Sequence, residues 1–160
     1  MTQGGDTPRP QGQSLTPYLT VGNAAAAVEF YGRAFGAEEL DRQAAPDGKL
    51  LHAVLRFGNS QLMLSDEFPG MDGCRSPQSL GGTTSTMHLD VPDADASFKR
   101  AIDAGAAVSM PVMDAPWGAR YGKVTDPFGH EWSLGTQVEE LSAEERDRRM
   151  RAAFGAGAPA

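Results

Sequence analysis

Two stretches of this chain repeat one another: V-G-N-A-A-A-A-V-E-F from Val21 and V-P-D-A-D-A-S-F-K-R from Val91. Aligned on the valines, Asn23 stands opposite Asp93 and Ala26 opposite Ala96. Asn and Asp are side chains that cap helix N-termini, and a glycine ends each following apolar run, Gly36 in the first copy and Gly105 in the second. An alternating strand precedes each helix, Thr16 to Val21 and Ser85 to Val91, and three extended segments follow it. In the first copy these are 38–43, 49–57 and 61–65; in the second they are 106–112, 119–125 and 130–135. A chain built this way must make the order βαβββ twice, an α+β fold in which each helix covers one face of its own sheet. The other faces of the two sheets are left to enclose a cavity.

Side-chain parity says what those faces carry. Val28, Tyr31 and Phe35 recur at helical spacing with Ala24 and Ala27 beside them. In 49–57, Leu51, Ala53, Leu55 and Phe57 alternate with His52, Val54 and Arg56, and the Gly58-Asn59 turn leads into a strand where Leu62 and Leu64 alternate with Gln61, Met63 and Ser65. The clearest hairpin is G-K-V-T-D-P-F-G-H-E-W-S-L-G-T, Gly122 to Thr136, which turns at Asp126-Pro127-Phe128-Gly129. Beyond the turn, Glu131 and Ser133 share one face while Trp132 and Leu134 share the other. His130 follows the turn glycine with the parity opposite to Glu131 and is expected at the surface. With every helix-facing apolar position on one side, the opposite side holds Thr16, Tyr18, Thr20, His52, Val54, Arg56, Gln61, Met63, Thr86, His88, Tyr121, Lys123, Glu131 and Ser133. Such a mixture of apolar walls and a few oriented polar groups suits a small-molecule pocket.

The remaining segments are less informative. Residues 1–14, rich in Gly, Pro, Gln and Thr, are expected to be a disordered tail, and 155–160 a frayed end. The Gly/Pro/Ser-rich connection 67–83 shows no periodicity and reads as a linker, with a lid as the weaker reading. A solvated helix is expected over 141–154, capped by Ser142 and Glu145 and anchored by Met150 and Phe154. Its acid-first pairs are Glu144 with Arg148, Glu145 with Arg149 and Asp147 with Arg151. A formal charge of −7 over 160 residues argues against nucleic acid or an anionic membrane as partner. Cys74 alone excludes an internal disulfide framework. With no apolar run long enough for a bilayer and no secretory signal, the expected location is cytoplasmic.

The paired units, the motif A-V-E-F-Y-G-R-A-F-G-A near the start and K-V-T-D-P-F-G-H-E-W near the end resemble the vicinal oxygen chelate superfamily. That group includes glyoxalase I, bleomycin-resistance proteins and extradiol dioxygenases, and the likeness is strongest to its PhnB-like branch. It spans 15–140, with units 15–66 and 84–136. The resemblance implies a cavity of the glyoxalase/bleomycin-resistance type, a small organic ligand, and a homodimer that completes the cavity. Metal-using members carry ligands on the first and last strands of each unit, which here means Thr16, Met63, Thr86 and Ser133. None of these is a strong ligand for a divalent ion, so no metal is expected at the usual positions and no cofactor is predicted.

Three readings of function follow, the third being a structural dimer without a ligand, favoured only if the cavity is collapsed. In the first, Tyr18, Arg56, Gln61, Met63, Trp117, Tyr121, Lys123 and Ser133 form a metal-independent binding pocket, with Arg56 and Lys123 available to an anionic group or to Asp90 and Glu131. In the second, His52, His88 and Glu131 serve a glyoxalase-like lyase or isomerase, as acid and base or around a displaced divalent metal. No Ser-His-Asp order, phosphate-binding glycine loop or EF-hand pattern appears.

Overall fold

A computed structural model describes residues 14–70 and 73–155, so the tails expected at 1–14 and 155–160 fall almost wholly outside the described residues. The first unit comprises β1 (Tyr18–Val21), α1 (Ala24–Phe35), β2 (Glu38–Ala44), β3 (Leu50–Phe57) and β4 (Ser60–Asp66). A one-turn helix, α2 (Pro77–Leu80), stands in the connection. The second unit comprises β5 (Thr86–Asp90), α3 (Ala94–Ala104), β6 (Ala107–Asp114), β7 (Ala119–Thr125) and β8 (Glu131–Gln137), and α4 (Ala143–Phe154) follows.

The strands form two four-stranded sheets, ordered β1-β4-β3-β2 and β5-β8-β7-β6. In each, the first strand runs parallel to the last and the other pairs are antiparallel. Tyr18 lies beside Met63 and His88 beside Ser133, so the duplication holds to the residue. The caps behave as their chemistry dictates. Asn23 Oδ1 accepts from the Ala26 N–H and Asp93 Oδ1 from the Ala96 N–H, each at 3.0 Å. Gly36 ends α1 at φ 70°, a left-handed conformation that a side chain would strain.

α1 and α3 pack against each other, and the helix-facing sides of both sheets enter one core. Trp132 of β8 closes it: its ring centroid lies 4.6 Å from Phe35, 5.1 Å from Tyr31 and 5.6 Å from Phe57. Asp126, in the β7–β8 turn, is 4% exposed. It accepts hydrogen bonds from Tyr31 Oη (2.7 Å), Trp132 Nε1 (2.8 Å) and the backbone N–H groups of Phe128 and His130 (2.9 Å each). Four donors replace the water that a buried carboxylate loses, which ties the second unit's turn to the first unit's helix.

Several expectations are corrected. His130 is buried, and its Nε2 lies 3.1 Å from the Thr20 carbonyl, bonding the turn to the backbone of β1. Parity failed there because the turn packs against the other unit. In β3 it is Leu50 that is buried, while Leu51 is exposed. The register against β2 slips between Gln43 and Ala44, and such an irregularity shifts the alternation.

The described residues of the connection are tied down by side chains. Ser76 caps α2, Glu67 accepts from the Ser76 N–H and from both the Ser76 and Ser79 hydroxyls, and Gln78 Nε2 donates to the Pro127 carbonyl at 3.0 Å. A helix of four residues is too short to show a period in sequence. In α4, Glu145 takes both Arg148 and Arg149, and Arg149 also reaches Glu139. The expected Glu144–Arg148 and Asp147–Arg151 pairs are absent among the described residues. Phe154, expected as an anchor, is 57% exposed.

Candidate functional site

On the first sheet, the face turned away from the core carries a tyrosine–histidine pair. Tyr18 Oη lies 3.0 Å from His52 Nδ1. Met63 stands beside Tyr18 on β4, between the two side chains' strands. Arg56 pairs with Glu38 on the edge strand rather than with Asp90 or Glu131, and Gln61 is buried.

The second sheet repeats the pair with the roles exchanged. His88 is on the first strand and Tyr121 on the third, their rings stacked 6.1 Å apart, with Trp117 set edge-on to Tyr121 at 5.2 Å. Gly135, between them on β8, permits this arrangement: a Cβ there would come 3.0 Å from His88 Cε1. His88 Nδ1 lies 2.8 Å from Ser133 Oγ and its Nε2 3.3 Å from Asp90 Oδ1. The three thus form a Ser-His-Asp contact that chain order did not announce. Ser133 is only 2% exposed, which leaves no approach for a substrate carbonyl, so its hydroxyl positions His88 instead of attacking.

Glu131 is held on the same sheet by Lys123 Nζ at 3.4 Å, Thr125 Oγ1 at 3.4 Å and the Ser109 hydroxyl. Burial pushes its carboxyl up. The hydrogen bonds from Ser109 and Lys123, with the Lys123 charge, outweigh that and hold it below the usual range. At neutral pH it is a paired carboxylate with no proton to give. Ser109 was missed in the sequence. Val108 faces Val124 while Met110 faces the adjacent Lys123, so Ser109 drops out of the ladder, and nothing in the residue order signals that slip.

The donor set does not fit the metal that the resemblance implies. Thr16, Met63, Thr86 and Ser133 offer hydroxyls and a thioether, and the Ser133 hydroxyl already serves His88. The displaced set fares no better, since His52 belongs to the first sheet while His88 and Glu131 belong to the second. Among the described residues no three His, Cys, Asp or Glu gather at metal-binding distance.

The structure does bring Gln61, Thr86 and His88 together. They line a cleft of about 410 Å³ where β4 of the first unit meets β5 of the second, with Phe57, Met87 and Trp132 as apolar wall. Tyr18 lines a neighbouring cleft with Met87 and His130, and Trp117 a third beside Leu141 and Arg146.

The sequence profile of the Glyoxalase/Bleomycin resistance protein/Dioxygenase superfamily matches residues 14–134. The chain belongs to this superfamily. Among superfamily relatives, an uncharacterized protein of Mycobacterium bovis is 52% identical over 86% of this chain and 91% of its own length. The crystal structure of TioX from Micromonospora sp. ML1 is similar at 31% identity and a TM-score of 0.64, covering 79% of this chain and all of TioX (100%). A PhnB protein from Bacillus cereus, described as a putative 3-demethylubiquinone-9 3-methyltransferase, superposes with a TM-score of 0.61 over 78% of this chain and 99% of its own. At 19% identity it shares the fold alone. The superfamily's two βαβββ units are the two sheets described above. Among the described residues no helix is long and apolar enough to cross a membrane.

Proposed function

We propose that this superfamily member binds a small organic molecule in the cleft between its two units, without the superfamily's usual metal. In this reading it acts in the cytoplasm as a homodimer, a second copy covering the polar sheet faces that carry Tyr18, Arg56, Tyr121 and Lys123, and it resembles PhnB-like proteins in function. The observation that carries the reading is the junction cleft. Its volume suits a small ligand, its walls are mainly aromatic and aliphatic, and Ser60, Thr86 and His88 are exposed or part-exposed polar groups in the lining that can orient a guest.

A competing reading, an acid–base lyase or isomerase, draws on one contact, His88 Nδ1 against Ser133. It requires a second proton-transfer group; Glu131, held ionised beside Lys123, can serve only as a base, and it does not line the junction cleft with His88.

The test is a thermal-shift screen of small aromatic and aliphatic compounds in the presence of a chelator. A ligand at a hundred times its Kd should stabilise the fold by about 2.7 kcal/mol, a shift of several degrees. Met87→Trp, which fills the cleft, should abolish that shift. Ligands that act only when a divalent metal is supplied would refute the metal-free reading.

A further inference from the structure

Beside the junction cleft, across His88 and Leu89, lies a second cleft of about 440 Å³. Phe57, Ser60, His88 and Leu89 line both clefts, yet the two differ in character. Toward Trp132 and Met87 the walls are apolar. Toward the C-terminus of α1 the lining includes Asn59, Ser97 and Arg100. The Arg100 Nε–H donates to the Ala34 carbonyl at 2.9 Å, where the last carbonyls of α1 supply partial negative charge. That bond leaves the terminal guanidinium nitrogens without a carboxylate partner among the described residues. Asp90 borders the same cleft, but its carboxylate is 99% exposed and lies beside His88.

We infer, resting on the binding function proposed above, that the ligand is an amphiphilic acid: an apolar body against Met87 and Phe57, and a single acidic group at Arg100. A guanidinium whose terminal nitrogens have no carboxylate partner among the described residues is suited to a carboxylate, sulfonate or phosphate, and a charge-assisted pair there favours an acid over a neutral guest. The shared lining residues, Ser60 and His88 among them, set the two clefts side by side, so a ligand that occupies both presents its apolar end at Met87 and its acidic end at Arg100.

Two fluorescent probes separate the parts of this claim: 1-anilinonaphthalene-8-sulfonate, which is apolar with one sulfonate, and N-phenyl-1-naphthylamine, its uncharged counterpart. Binding is read by energy transfer from tryptophan and by probe emission, with unfolding curves recorded for every variant. Arg100→Met should weaken the sulfonate probe about tenfold and leave the neutral probe unchanged, as the loss of one charge-assisted hydrogen-bonded contact requires. Arg100→Lys keeps the charge while losing the fork, and should recover most of the loss. Met87→Trp should remove both probes. Equal weakening of both probes in Arg100→Met, no weakening of either, or Arg100→Lys as poor as Arg100→Met would overturn the acid-binding assignment. Sulfonate binding indifferent to Met87→Trp would place the probe elsewhere and overturn it as well. If neither probe bound the unmodified protein, the cleft would fail as a ligand site and the proposed function would fall with it.

Discussion

At the scale of single residues, Asp126 shows how a turn position can carry a core. Its four donors come from α1, β8 and its own turn, and removing the acceptor leaves all of them buried without a partner. Asp126→Ala should therefore cost roughly 3–5 kcal/mol in denaturant unfolding, whereas Tyr31→Phe, which removes one donor, should cost about 1–2 kcal/mol. The same contact sets an alkaline limit. Burial, then the charge and hydrogen bond of Asp126, push the Tyr31 phenol well above its usual value of about 10. Above that pH the unfolded chain releases the proton and the native one keeps it, so stability falls as pH rises. Tyr31→Phe should flatten this loss in unfolding curves taken between about pH 9 and 11. D-P-F-G was legible as a turn because Pro and Gly leave few alternatives there. Its partner Tyr31 was not, since it lies 95 residues away and no local pattern links the two.

At the scale of elements, the helices were the most legible parts, because a cap and a glycine stop mark both ends of α1 and α3 with local chemistry. Strand content was also legible, but phase was lost wherever the register slipped, at Leu50 and Leu51 in β3 and at Ser109 in β6. The connection 67–83 looked empty because its structure depends on side-chain bonds rather than on a period. Hydrogen bonds from the Ser76 and Ser79 hydroxyls and the Ser76 N–H, with one from Arg75, hold the Glu67 carboxyl down at about 2. A depressed acid lends stability that is present above its unfolded value and is lost as pH falls through the folded one. The latch should accordingly be complete above about pH 4.5 and open progressively toward pH 2, read as falling amide-exchange protection factors at Ser76 and Ser79, each taken against the unstructured rate at the same pH. Glu67→Gln should show that lower protection already at neutral pH while leaving exchange in α1 unchanged.

At the scale of the whole molecule, the duplication and the α+β class could be read from the chain, whereas the way the units meet could not. Parity alone put His52, His88 and Glu131 on one notional surface. The two sheets divide them, and each already has partners on its own sheet. What the units do create is the junction cleft, which depends on where Ser60 and Gln61 fall against Thr86 and His88, a long-range relation with no sequence signature. The cleft is proposed to work without the usual metal of the superfamily. The decisive measurement is metal content after incubation with zinc, nickel, manganese or iron and exhaustive dialysis. Parallel samples would carry His52→Ala, His88→Ala and Glu131→Ala together. Far less than one equivalent of metal is expected, the same in both proteins. One equivalent retained by the unmodified protein and lost from the triple variant would contradict the metal-free reading.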